Sequence, residues 1–288
     1  MIAYLDAMIE PMLDTLLHRW LHVPYTLHVR YVRRPKNPRA TVLFIHGIGN
    51  SGDAWNSVIQ KLPQDIQIVS IDLLGFGDSP KPAWATYNAK TQARSVLATF
   101  VKLRIATPMI IVGHSLGSLV AIEVSKRYPL LVKSLILCSP PLYQVAVEPT
   151  KKISLRADDV LKQLYTAAYE RPDDFLKLSA IAMKYNLINT SFNVTSDNVA
   201  SYMATLKAMI INQTSLADAY KLKTPTVILR GTLDPVVVTR NLKQLTKENP
   251  NVSIVNVLAS HEVRGRFVGA VVKSINAELK KNDKSAIT

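Results

Sequence analysis

The feature that most narrows the fold is a repeated exchange between short apolar runs and helix-length amphipathic segments. Thr41 to Ile45, Ile66 to Ile71, Met109 to Val112 and Val132 to Leu137 read as strands, while Ala54 to Lys61, Thr91 to Leu103 and Leu116 to Arg127 between them carry helical spacing. A strand that is apolar on both faces needs a layer packed on each. Connections of this length suit parallel crossovers through a helix. The pattern predicts an α/β chain built on a mainly parallel, doubly wound sheet.

The exchange stops at Ser139-Pro140-Pro141, and about 80 residues pass before it resumes at Thr226 to Leu229, Thr239 to Lys247, Val252 to Val257 and Val263 to Lys280. Within the gap Asp158 to Tyr169, Asp173 to Tyr185 and Asn198 to Ile211 are helix-like and rich in Tyr, Met and Leu. The expected organisation is a core of residues 25–140 and 221–288 with a helical cap inserted at 141–220. Residues 1–24 form a separate amphipathic helix through Leu5, Met8, Ile9, Met12, Leu13, Leu16, Leu17 and Trp20. Tyr25 to Val32 alternates in the manner of a strand, and Pro35 and Pro38 follow it, which suggests a hairpin at the sheet edge.

Composition excludes several classes. With 48% hydrophobic and 19% charged residues, 10 Gly and 16 Pro in 288, the chain is neither disordered nor collagen-like. Its apolar runs fall far short of the roughly 18 residues a membrane span needs. Asp6, Glu10 and Asp14 precede the first basic residue, Arg19, which argues against a secretory leader and for a cytoplasmic protein. Asn-x-Ser/Thr sequons at Asn189, Asn193, Asn212 and Asn251 accordingly carry no weight. A single cysteine, Cys138, excludes an intramolecular disulfide and a Cys-based zinc site, and in its apolar run it reads as a small buried hydrophobe. The net charge of +14 is spread along the chain, with short clusters at Arg30 to Arg34 and Lys280-Lys281 and no basic stripe interleaved with aromatics, so nucleic acid is not an expected partner. The basic surface and the first helix are compatible with peripheral membrane contact but do not select it. Oligomeric state does not follow from the sequence.

The sharpest local signal is Gly113-His114-Ser115-Leu116-Gly117, placed between an apolar strand and an amphipathic helix. A strand-to-helix turn that projects a serine into a cleft strains the backbone there, so the positions two before and two after must be small. A serine hydroxyl is a weak nucleophile near neutral pH and needs a histidine base with a carboxylate to orient it. Of the six histidines, His18, His22 and His28 precede the sheet, and His46 and His114 lie in turns. Only His261 follows a late strand from which a loop could reach the serine. Asp234, just after the apolar run Val227 to Leu229, supplies the acid, whereas Asp72 and Asp78 shape a turn. The Gly-rich turn His46-Gly47-Ile48-Gly49 offers backbone donors for a developing oxyanion. Its Ile48 amide is one candidate, and the Leu116 amide, at a helix N-terminus, is the other.

From about Tyr25 to Leu279 the chain resembles the α/β-hydrolase superfamily. His46-Gly47-Ile48-Gly49 is similar to its oxyanion loop, Gly113 to Gly117 to its nucleophile elbow, Asp234 to its acid and His261 to its base. Asp72-Leu-Leu-Gly-Phe-Gly-Asp-Ser79 is similar to a segment common in capped members near the site entrance. The resemblance implies a capped serine hydrolase of the carboxylesterase type, with a Ser115, Asp234, His261 triad, acting on small to medium acyl esters through an acyl-enzyme and without metal or organic cofactor. Serine at 115 argues against dehalogenases and epoxide hydrolases of the superfamily, which use aspartate there. Carbon–carbon bond hydrolases of vinylogous diketones stay open, although they often carry Asn where this chain has His114. Thioesterases, cofactor-free haloperoxidases and a non-catalytic receptor or scaffold on the same fold also stay open. Tyr165, Phe175, Met183 and Met203 of the cap are candidates to line an acyl pocket.

Overall fold

Val42-Leu43-Phe44-Ile45 and Ile110-Ile111-Val112 are β-branched, aromatic or leucine at every position, so a strand made from them has two apolar faces and must lie inside the molecule. The computed structural model describes residues 12–105, 107–144, 194–195 and 197–285, with isolated positions between 166 and 181. In it β2 (Thr41–Ile45) and β4 (Met109–His114) are adjacent, central and buried along their whole length. The other strands are β1 (Val29–Arg33), β3 (Gln67–Ile71), β5 (Val132–Cys138), β6 (Thr226–Gly231) and β7 (Val252–Val257). Their order is β1-β3-β2-β4-β5-β6-β7, and every pair is parallel except β1 with β3.

The pleat divides the apolar side chains between two cores. Leu43, Ile45, Ile111, Leu135 and Leu137 point to one, which they share with Val96 and Phe100 of α2 (Ala89–Leu103) and Leu119 and Val120 of α3 (Leu116–Arg127). The α1 helix (Asn56–Ile59) and a long C-terminal helix (Arg266–Ser285) cover the opposite face, where Val42, Phe44, Ile110, Val112, Ile136 and Cys138 meet Trp55, Phe267, Val271 and Ile275. The expected doubly wound α/β sheet is therefore present.

Two expectations change. The segment before β2 does not form a hairpin with it. β1 instead runs antiparallel to β3, with Val32 opposite Val69. The reason is that β3 and β4 already occupy both hydrogen-bonding edges of β2. The helix expected at Asn198 to Ile211 begins as α4 (Val199–Thr205) but continues as a π-helix over Leu206–Ile211. Its Tyr202, Leu206, Met209 and Ile210 are buried in the first core, as is Met203, and Ser201 Oγ donates to Gly75 O at 2.8 Å. The helices expected at 158–169 and 173–185, with Tyr165, Phe175 and Met183, lie outside the described residues apart from isolated positions. So do residues 1–11 of the N-terminal segment, of which Thr15–Trp20 is π-helical.

The carboxyl ends of β2, β4 and β5 are level, with Ile45 opposite Gly113 and His114 opposite Cys138. Arg30 ties the segment after β3 to the edge strand: its guanidinium lies 2.5 Å from Oδ2 of the buried Asp72 and 2.8 Å from Oδ2 of the exposed Asp78. The Asp72 carboxylate is fully buried and also accepts from the Gly52 and Asp78 amides. Burial pushes its pKa up, but Arg30 and these amides outweigh that and hold it below the ordinary value. Removing one partner of such a pair leaves an uncompensated buried charge. Arg30→Met is expected to lower unfolding stability by about 3 kcal/mol; an unchanged urea midpoint would show that the pair contributes nothing.

Candidate active site

β4 ends at His114 and α3 begins at Leu116, so a single residue, Ser115, makes the turn. It does so at φ 50 and ψ −119, a conformation that an L-residue keeps only where the surroundings enforce it. Two hydrogen bonds hold it there: Ser115 N donates to Cys138 O and Ser118 N to Ser115 O, both at 2.9 Å. The small flanking positions are required as the sequence suggests. A methyl group on Gly113 would stand 2.5 Å from Gly117 O, and one on Gly117 would run into the carbonyls of Ile45 and His46. The helix thus lies against the ends of β4 and β2 with no room for a side chain between.

Asp234 follows β6 and His261 follows β7, and the structure brings them together. His261 Nδ1 is 2.8 Å from Asp234 Oδ2, while Asp234 Oδ1 accepts from Val236 N at 2.9 Å. The carboxylate is fully buried; burial pushes its pKa up, but the hydrogen bond and charge of His261 hold it below the ordinary value. An ionised Asp234 can only accept, so Nδ1 of His261 is the donor of that bond. The loop that carries His261 is fastened to the serine turn by His114, whose Nε2 donates to His261 O at 2.9 Å and whose ring is 5.0 Å from that of His261. Burial, then the charge of His261, pushes the His114 pKa down to about 4.

The turn after β2 abuts the same place, since a methyl on Gly47 would be 3.2 Å from Ser115 Cβ. His46 fixes that turn. It is fully buried, its Nε2 accepts from Leu73 N at 2.8 Å, and its Nδ1 therefore donates to Gly47 O at 2.6 Å. Burial holds its pKa below the usual imidazole value, consistent with this neutral tautomer. Ile48 follows directly and is half-buried. Ser115, Asp234, His261 and Ile48 thus lie in the turns that follow β4, β6, β7 and β2, and Leu116 opens α3 directly after Ser115. Sequence reasoning did not find the tie from His114 to His261, which spans 147 positions. It also missed Tyr143, whose hydroxyl donates to Val236 O at 2.9 Å and steadies the Asp234 loop.

Two other clusters carry less. Ligand atoms of His28, Asp72 and Asp78 lie within 4.8 Å of one another, but the Arg30 guanidinium already bridges both carboxylates and supplies the positive charge a metal would bring. Cys138 is buried, as its apolar run suggests, and burial pushes its thiol pKa up, away from the thiolate a nucleophile needs.

Comparison with known proteins agrees with this fold. The family model for the α/β hydrolase fold matches residues 40–262. Among solved structures, a thermophilic esterase from Thermogutta terrifontis superposes with a TM-score of 0.66 at 19% identity, covering 84% of this chain and 90% of the other. The enol-lactonase from Burkholderia xenovorans LB400 does so with 0.66 and 19%, covering 88% and 96%. At such identities the likeness shows the fold. Among curated relatives, the probable lysophospholipase BODYGUARD 4 of Arabidopsis thaliana is 33% identical over 115 residues, 39% of this chain and 28% of that protein. The chain spans little more than a quarter of the length of the curated relatives it first matches.

The low His114 pKa has a consequence for stability. Its ordinary, unfolded value is 6.5, so between pH 6.5 and about 4 the unfolded chain binds a proton that the native one does not, and stability falls as the pH falls. Over that window His114 is expected to remove roughly 3 kcal/mol. Urea titrations at stepped pH should show this slope in the wild type and a shallower one in His114→Gln; equal slopes would mean that His114 titrates normally in the native state.

Proposed function

This chain belongs to the α/β-hydrolase fold family, and we propose that it is a serine hydrolase that cleaves carboxylic esters of small to medium acyl chains through an acyl-enzyme. The observation that carries the reading is the hydrogen bond of 2.8 Å between a buried, ionised Asp234 and His261, fastened beside the strained serine turn. Ser115 Oγ attacks the ester carbonyl while His261 Nε2 takes its proton. The imidazolium so formed is stabilised by Asp234 and returns the proton to the departing alcohol. Water then repeats the sequence on the acyl-enzyme, with His261 again as base. The amides of Ile48 and Leu116 receive the negative oxygen of each tetrahedral intermediate, the second from the N-terminus of α3. His46, by pinning Gly47 O, sets the orientation of the turn that carries the Ile48 amide.

The reading gains support from the esterase and enol-lactonase among the structural neighbours and from the lysophospholipase name of the curated relative, all of which denote cleavage of an ester bond. No step requires a group that the chain lacks.

Hydrolysis of p-nitrophenyl esters from acetate to palmitate tests the proposal. The wild type is expected to turn them over with an optimum of chain length, and Ser115→Ala and Asp234→Asn are each expected to lose about 10⁴-fold in kcat. Undiminished turnover in Ser115→Ala would overturn it.

A further inference from the structure

The helix at Thr15–Trp20 is seated with its polar side inward. Tyr25 donates its phenol to Asp14 Oδ2 at 2.6 Å, the His18 ring stacks on that of Tyr25 with 3.6 Å between centroids, and His18 Nδ1 bonds to Val23 O at 2.7 Å. The apolar side chains are left outside. Met12, Leu13, Leu16, Leu17, Trp20 and Leu21 are all exposed, Met12 by 75%, Trp20 by 69% and Leu21 by 62%, and no residue of the helix is buried. Apolar side chains gain by leaving water, so a contiguous exposed set of six marks a surface that another phase or molecule covers.

The charge around the segment says which. Asp14 is the single carboxylate in residues 12–23, and it is turned onto Tyr25. Against the segment lies a pocket of about 330 Å³ whose lining includes His18, Arg19, His22, Arg94, Tyr25 and Trp84 and, among the described residues, no Asp or Glu. Arg94 is steadied there by donating to His22 O at 2.6 Å, and Trp84, itself exposed, stands 6.0 Å from the Tyr25 ring. A second copy of this chain would set two bodies of net charge +14 and two such pockets against each other. A negatively charged apolar interface meets both the exposed face and the cations, and Trp with Leu on a short helix is the composition that seats in one.

We propose that residues 12–23 and the adjoining pocket dock this protein on an anionic phospholipid bilayer. The apolar face enters at the boundary between headgroups and acyl chains, and Arg19 and Arg94 take a lipid phosphate. The proposal concerns a surface apart from Ser115 and does not depend on the activity assigned above.

Co-sedimentation of the full chain carrying Ser115→Ala, which keeps the vesicles intact, tests it. Vesicles of phosphatidylcholine with phosphatidylglycerol are expected to bind the protein at least tenfold better than phosphatidylcholine alone, and less well as salt rises. Arg19→Gln should weaken the partition about fivefold. Replacing Leu16, Leu17 and Trp20 by Ser should weaken it about 100-fold, with circular dichroism unchanged because all three are exposed. Failure to bind anionic vesicles, equal binding to both compositions, or a dimer in light scattering that the triple replacement dissociates would each overturn the proposal.

Discussion

The site depends on how closely the α3 helix approaches the ends of β2 and β4. Gly117 lies against the carbonyls of Ile45 and His46, and Gly113 against the backbone of Gly117, so the helix enters at a distance that any side chain would forbid. That approach leaves Ser115 as the only link between strand and helix and holds it at φ 50. It also brings the turn after β2 against the serine, which is how a Gly-rich turn some 70 positions earlier comes to border it. The two cores supply the force: strands apolar on both faces clamp the sheet between layers, and the serine turn inherits their rigidity.

Burial sets the electrostatics in a consistent direction. His46 and His114 are withdrawn from water and held neutral, each serving as a donor to a backbone carbonyl, while the buried Asp234 and Asp72 remain ionised because a cationic or donating partner faces each of them. His261 differs in its place: its ring is one-fifth exposed, and it is Nδ1 that faces Asp234. Neighbouring imidazoles with different tasks are separated by their surroundings rather than by their chemistry.

Much of this was legible in the sequence because it is encoded locally. The two-faced apolar runs predicted the parallel sheet, α3 was bounded correctly at Leu116 and Arg127, and β7 at Val252 and Val257, since periodicity and length suffice there. Ser115, Asp234 and His261 were singled out through motif, strand ends and chain order, and the structure sets the last two in contact. Pairing was less visible. That β1 would join β3 rather than β2 depends on which edges of β2 are free, a property of the whole sheet. The bond from His114 to His261 O and the grip of Tyr143 on Val236 are products of folding with no local signature. The N-terminal segment was recognised as amphipathic, but periodicity alone cannot say which side meets the body, and the stack of His18 on Tyr25 turned the polar side in.

We propose that folding alone makes Ser115 nucleophilic through His261 and Asp234. Its most direct test is the reaction of the folded protein with a fluorophosphonate, followed by peptide mapping. A single adduct on Ser115 is expected, with labelling lost in His261→Ala. No adduct, or an adduct at Ser115 that forms equally fast without His261, would contradict it.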